Sequence, residues 1–171
     1  MSQSPDRAVT ILARFNATQN SLAAKLRDLP AHVAEEREDI DTWTAAQIGW
    51  HVATTNDWIA GVLIGTTPMA EPAAPGFRET LHMQTPLEKI KTPPAPGLEP
   101  PAIVGRDSAM EKLRASGQHM SKAIASLTPE RGSGYTVTLP FGTLSLFELA
   151  DFAAGHIARH IAQIDRTVAR A

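Results

Sequence analysis

Proline is distributed unevenly along this chain, and that unevenness constrains the fold more than any other feature. Of 13 prolines, nine (Pro68, Pro72, Pro75, Pro86, Pro93, Pro94, Pro96, Pro100 and Pro101) fall between residues 68 and 101. Proline has no backbone N–H and holds φ near −65°, so it interrupts helices and central strands alike. The stretch 66–104 therefore reads as a connection, and regular structure has to come from the residues on either side of it.

On both sides the apolar spacing is helical, and four segments begin with capping chemistry. Ser4-Pro5 opens the first, about 4–29, whose stripe is Ala8, Ile11, Leu12, Phe15, Leu22, Leu26 and Leu29. Thr44 and Gln47 form a capping box for the second, about 44–64, with Trp43 and Ile48 as its hydrophobic staple. Ser108 and Glu111 suggest a third start and a helix over about 108–128, with Leu113, Gly117, Met120, Ile124 and Leu127 on one face. Ser145 with Glu148, and Leu144 with Leu149, repeat the box and the staple for a fourth, about 145–169. Residues 131–143 carry three glycines around an alternating Tyr-Thr-Val-Thr-Leu run, a weak signal for a short extended segment or loose hairpin.

Four amphipathic helices without a convincing sheet predict an all-α, four-helix bundle. The first and last links are about 15 residues and the middle one about 40, enough to return the chain along a ~30 Å helix to the same end. The expected topology is therefore up-down-down-up. At 171 residues and 18.4 kDa the chain makes one domain, 1–171, large enough to bury a core without covalent staples. The net charge of −2, with Lys and Arg scattered, gives no electrostatic footprint for nucleic acid. No segment approaches the ~18 apolar residues of a membrane span and the start resembles no leader, so a cytoplasmic protein with no membrane partner is expected. With no cysteine, a disulfide framework, a thiolate metal site and a cysteine nucleophile are all excluded. Any metal site must be built from nitrogen and oxygen.

The six histidines divide by face. His32 and His82 lie in connections and His119 projects away from its stripe, so all three read as solvated, with only His82 having a route to a site through loop folding. His156 and His160 are four residues apart on one helical face, about 6 Å along the axis, a spacing that suits two imidazoles converging on one cation. Both fall inside the apolar arc of the fourth helix, and His51 falls inside that of the second. Three inward imidazoles read as metal ligands, with a buried neutral histidine network as the alternative. Ile157, Ala158 and Arg159 stand between the paired histidines, so the glutamate of a His-Glu-x-x-His zinc protease is missing.

The segments Trp43-Thr44-Ala45-Ala46-Gln47-Ile48-Gly49-Trp50-His51 and Gly155-His156-Ile157-Ala158-Arg159-His160-Ile161-Ala162-Gln163-Ile164, with the long middle connection between them, resemble the DinB/YfiT-like superfamily of small bacterial metalloproteins. The resemblance implies an up-down-down-up four-helix bundle holding one divalent metal ion on His51, His156 and His160; nitrogen ligands suit zinc, nickel, iron and copper alike, with zinc, nickel or iron expected. It also implies a homodimer and, by analogy with characterised relatives, a thiol S-transferase-like activity on a small-molecule substrate with a low-molecular-weight thiol as cosubstrate.

Three neutral histidines leave a divalent ion at least one open position. That position suits presentation of a cosubstrate thiol to an electrophile, hydrolysis by a metal-dependent hydrolase, or simple occupancy by water in a non-catalytic metal-binding module. The fourth helix offers no acidic base at the site: Asp151 and Asp165 face away and Glu148 is two turns from His156. Gln19 and Gln163 are candidates to orient imidazoles, with core glutamines as the alternative. Arg159 flanks the ligand face and is a candidate to bind an anionic substrate, with a solvated arginine as the alternative. Trp50 and Trp58 read as packing residues.

Overall fold

The computed structural model describes residues 4–91 and 94–169, and side chains from residue 7 onward. The expected Ser4 cap and Pro93 lie outside that description. Four long helices dominate: α1 (Ser4–Asp28), then, after a short α2 (Ala31–Glu35), α3 (Ala45–Ile64). The connection carries β1 (Glu71–Pro72), α4 (Leu81–Gln84) and a single 3-10 turn at Leu87–Lys89, and leads into α5 (Arg106–Ala125). A one-turn helix α6 (Pro129–Gly134), strands β2 (Tyr135–Leu139) and β3 (Gly142–Ser145), and α7 (Leu146–Val168) complete the order.

Helices α1 and α3 each pack mainly against α5 and α7, with a smaller contact between α1 and α3. Phe15, Leu22 and Leu26 of α1 meet Ile48 and Ile59 of α3, Leu113 and Ile124 of α5, and Leu149 and Ile157 of α7 in one fully buried cluster. Each such side chain contributes roughly 1.5–3 kcal/mol over its exposed state. Polar pairs record the relative directions. Arg14 meets Asp151 and Lys25 meets Asp165, so residue numbers rise together along α1 and α7. Gln19 bonds Leu113 O and Asn16 accepts from Ser121, so they run oppositely along α1 and α5. At one end Gln47 of α3 bonds Pro101 O and Ala102 O just before α5, and at the other Arg131 beyond α5 donates to Leu63 O and Val62 O of α3.

Both strong start signals form as expected. Thr44 accepts from Gln47 N and Ser145 from Glu148 N, and each glutamine or glutamate returns the bond. Ser108 does not cap. Helix α5 begins two residues earlier, on an extended Gly105 with no side-chain cap, because Glu35 Oε1 of α2 accepts from Arg106 N at 2.8 Å and supplies the missing partner from 71 residues away. Glu111, freed from the box, pairs with Arg114 one turn on. Helix α5 also stops at Ala125, because Thr128 caps a new turn with Pro129 at its start.

The weak extended signal at 131–143 is realised, and the all-α expectation is corrected by a small sheet there. The alternating run forms a hairpin with Val137 opposite Leu144 and Thr138 opposite Thr143, closed where Gly142 adopts φ 144°, and β1 adds to it in the order β1-β2-β3. Val137 and Leu144 are buried, so one face of this small sheet joins the helical core. The long connection is likewise not structureless, since β1 anchors its beginning and Leu87 and Ile90 are buried further along.

The two capping sites give a direct contrast. Thr44→Ala removes a made cap and is expected to cost ~1 kcal/mol, or about 2–4 °C in Tm. Ser108→Ala removes an exposed hydroxyl that caps nothing and is expected to stay within ~0.5 kcal/mol of wild type in chemical denaturation.

Candidate metal centre

The cap at Thr44 sets the phase of α3 so that His51 faces α7, and the cap at Ser145 does the same for His156 and His160. The three imidazoles meet between the helices. One ring nitrogen of each lies within 4.8 Å of the others, His156 Nε2 being 3.2 Å from His51 Nε2 and 3.0 Å from His160 Nε2. Ligands bound at 2.0–2.1 Å to one tetrahedral ion would stand ~3.3 Å apart.

The bonds behind the rings determine what these nitrogens carry. His51 Nδ1 is 2.8 Å from the Leu98 carbonyl, which only accepts, so Nδ1 holds the proton and Nε2 a lone pair. His160 Nδ1 donates to Gln163 Oε1 at 2.7 Å, with the same result. Two lone pairs therefore face His156 Nε2, which has at most one proton to offer. A cation at the meeting point satisfies all three nitrogens, so the donor set fits a divalent metal. His156 differs from the other two: its Nδ1 is sealed from solvent and has no hydrogen-bond partner among the described residues. Trp43 packs beside His51 with ring centroids 5.0 Å apart, and Phe152 lies 5.7 Å from His156.

Burial keeps these imidazoles neutral. It is the main cause depressing all three: His51 below its usual 6.5, His156 far below it, and His160 to about 4. His160 and His51 further depress His156, His51 further depresses His160, and the Arg159 charge adds to the effect on all three. The Leu98 and Gln163 bonds, and the Glu99 carboxylate near His51, pull in the opposite direction.

The proline-rich connection reaches this centre through its backbone. Leu98 supplies the acceptor for His51, Ile90 O accepts from Arg159, and the 3-10 turn lies on Gly155, the residue before His156. A Cβ on Gly155 would fall 2.9 Å from Glu88 N and 3.0 Å from the Leu87 carbonyl carbon, so only glycine admits this contact.

Other candidates lie elsewhere. Gln19 donates to Leu113 O and accepts from Asn56 Nδ2, tying α1 to α5 and α3 inside the core, and touches no imidazole. It was a stripe residue of α1, which has no long face on the α3–α7 seam. His82 does fold back, but onto Glu148, 3.2 Å away, while His119 sits 3.1 Å from Asp57 and His32 is exposed. Asp151, Asp165 and Glu148 are engaged by Arg14, by Lys25 and by the Ser145 N–H with His82, so helix α7 brings no carboxylate to the centre. Trp50 packs with Ala46, Val104 and Ala109, and Trp58 against the main core. Leu98 and Glu99 carried no sequence signal, since one acts through its carbonyl and the other through chain folding. Trp43 was visible only as a staple.

An inward three-histidine centre on the seam between two long helices, under a strap of connection, defines a helical protein equipped to bind metal. The chain belongs to the DinB superfamily, whose family model matches residues 14–164. No curated protein and no solved structure matches it. No helix among the described residues is long and apolar enough to cross a membrane.

Two measurements follow from this geometry. Gly155→Ala should lower Tm although alanine favours a helix by ~1 kcal/mol, because the strap backbone must shift, an overpacking cost of ~1–3 kcal/mol; a raised Tm would contradict the contact. In the metal-free protein, histidines neutral when folded charge near 6.5 when unfolded. Stability is therefore fully present above about pH 6.5 and is lost as pH falls toward 4, with up to ~1.4 kcal/mol per pH unit for each histidine. Urea titrations at pH 7 and pH 5 should show the loss in wild type and a smaller one in His156→Gln/His160→Gln.

Proposed function

We propose that this chain is a divalent-metal-dependent enzyme with a thiol S-transferase-like activity on a small molecule. One observation carries the metal: three Nε2 atoms converge, and two of them are denied a proton by the bonds behind them. The ion, zinc, nickel or iron, would supply Lewis-acid character at an open position, where a low-molecular-weight thiol loses its proton more readily. His51 and His160 are held in their donor tautomer by Leu98 O and Gln163 Oε1, and the Leu87–Ile90 strap shields the α7 side of the centre.

Transfer is favoured over hydrolysis by the chain's own nucleophiles and bases. There is no cysteine, the three α7 carboxylates are all engaged away from the imidazoles, and Glu99, whose charge reaches His51, accepts from the Gly97 N–H. A nucleophile brought by a cosubstrate needs neither. The proposal takes the four long helices as a bundle in up-down-down-up order, supported by the Arg14–Asp151, Lys25–Asp165 and Gln19–Leu113 pairings. It also takes the protein as a cytoplasmic homodimer, with no nucleic-acid or membrane partner.

Metal analysis of protein purified without an affinity tag is expected to give about one divalent ion per chain, with His51→Ala and His160→Ala each weakening binding at least tenfold. Near-stoichiometric metal surviving both substitutions would sink the three-histidine assignment. With metal present, conjugation of a model electrophile should require an added thiol and disappear in His51→Ala; thiol-independent turnover would instead mark a hydrolase.

A further inference from the structure

The carbonyl that receives the His51 proton belongs to a segment whose two ends are fixed. Leu98 N donates to Ala95 O at 3.0 Å and closes a turn with Pro96 and Gly97 at its centre; Gly97 has φ 88°, so this is the arrangement of a type II turn. On the other side Pro100 restricts Glu99 to extended backbone, and Pro101 O and Ala102 O are tied to Gln47 Nε2 at the start of α3. Between these parts the Leu98–Glu99 peptide carries the one carbonyl that faces His51, 2.8 Å from Nδ1.

A single side chain spans that peptide. Glu99 Oε2 accepts from Gly97 N at 3.0 Å, which ties the residue before Leu98 to the residue after it. The turn and the carbonyl then move as one unit. Glu99 is exposed, and among the described residues it forms no ion pair, so its carboxylate folds back on its own chain with its charge uncompensated. That charge reaches His51. A carboxylate in this position favours a bound cation twice over, by keeping a ligand in its donor tautomer and by offsetting a charge that three neutral imidazoles leave in place.

Resting on the metal reading above, we infer that Glu99 is a positioning residue of this centre: through its bond to Gly97 it holds the Leu98 carbonyl on His51 Nδ1, so that His51 Nε2 stays free for the ion.

The test uses the full chain, stripped of metal with a chelator and titrated with zinc against a chromophoric competitor. Imidazole 15N NMR spectra of the metal-free samples are recorded at about pH 8, above the range in which histidines charge. Wild type should show His51 as the Nδ1–H tautomer. Glu99→Ala is expected to populate both tautomers of His51, leave His160 unchanged, and weaken zinc binding about tenfold. Glu99→Gln keeps an acceptor for Gly97 N–H, so it should retain the wild-type tautomer and lose only the effect of the charge, about two- to fourfold. In a His51→Ala background Glu99→Ala should cost no more than that smaller factor, because the carbonyl has no ring left to orient. If Glu99→Ala leaves the His51 ring signals unchanged, or glutamine behaves as alanine does, or the tenfold loss persists without His51, this inference is overturned and the metal reading stands. If wild type takes up no zinc, the metal reading fails, and the tautomer comparison in the metal-free protein still decides whether Glu99 orients His51.

Discussion

Two hydrogen bonds made behind the imidazoles govern what the front of the centre can do. A neutral histidine has one N–H and one lone pair, and nothing in a bare ring says which nitrogen carries which. By giving Nδ1–H of His51 to a carbonyl and Nδ1–H of His160 to an amide oxygen, the fold forces both lone pairs forward onto the same point. Burial then removes the other escape, protonation, by making the imidazolium costly. A ring so placed has a lone pair to give to a cation. His156 completes the set without such support, its position fixed instead by the helix it shares with His160 and by Phe152 at its side.

The proline-rich connection acts on the same point from the opposite direction. Its prolines keep it from forming long helix or strand, so its carbonyls are not consumed by regular hydrogen bonding and remain available to side chains. Leu98 O serves His51, Ile90 O serves Arg159, and Pro101 O and Ala102 O serve Gln47, which also completes the cap of α3. One segment thus links the start of the helix bearing His51 to the tautomer of His51 itself. The buried Leu87 and Ile90 anchor it, and the bare Cα of Gly155 lets the turn reach the backbone of α7.

What was legible in the sequence and what was not divide along a physical line. The capping boxes of α3 and α7 and the inward phase of His51, His156 and His160 depend on residues within a turn or two of each other, and spacing reports them directly. The start of α5 is set by Glu35, which is remote in sequence, so the local Ser108–Glu111 pattern pointed to the wrong residue. The hairpin at 135–145 gains its stability by burying Val137 and Leu144 on the helices, a tertiary effect that five alternating residues signal only weakly. Gln19 and Gln163 were equivalent as sequence candidates. One faces Leu113 and Asn56 and the other His160, a distinction that depends on which helices are neighbours. Leu98 acts through a backbone atom that every residue has, and no side-chain pattern could single it out.

Helix α7 also sorts its charges. Its acids Asp151 and Asp165 are neutralised by Arg14 and Lys25 of α1, on the face opposite the imidazoles, and Glu148 is absorbed at the N-terminal cap. Its cations Arg159 and Arg166 have no carboxylate partner among the described residues and stand on the flank nearest the imidazoles. The segregation leaves positive charge on the α7 flank, facing Glu38 and Asp41 on the wall of the cavity that Arg166 lines. A bound divalent ion deepens that potential, since three imidazoles contribute no compensating charge. The ligands themselves therefore leave the charge balance to groups outside the histidine set, and Glu99, whose charge already reaches His51, is one that the chain supplies.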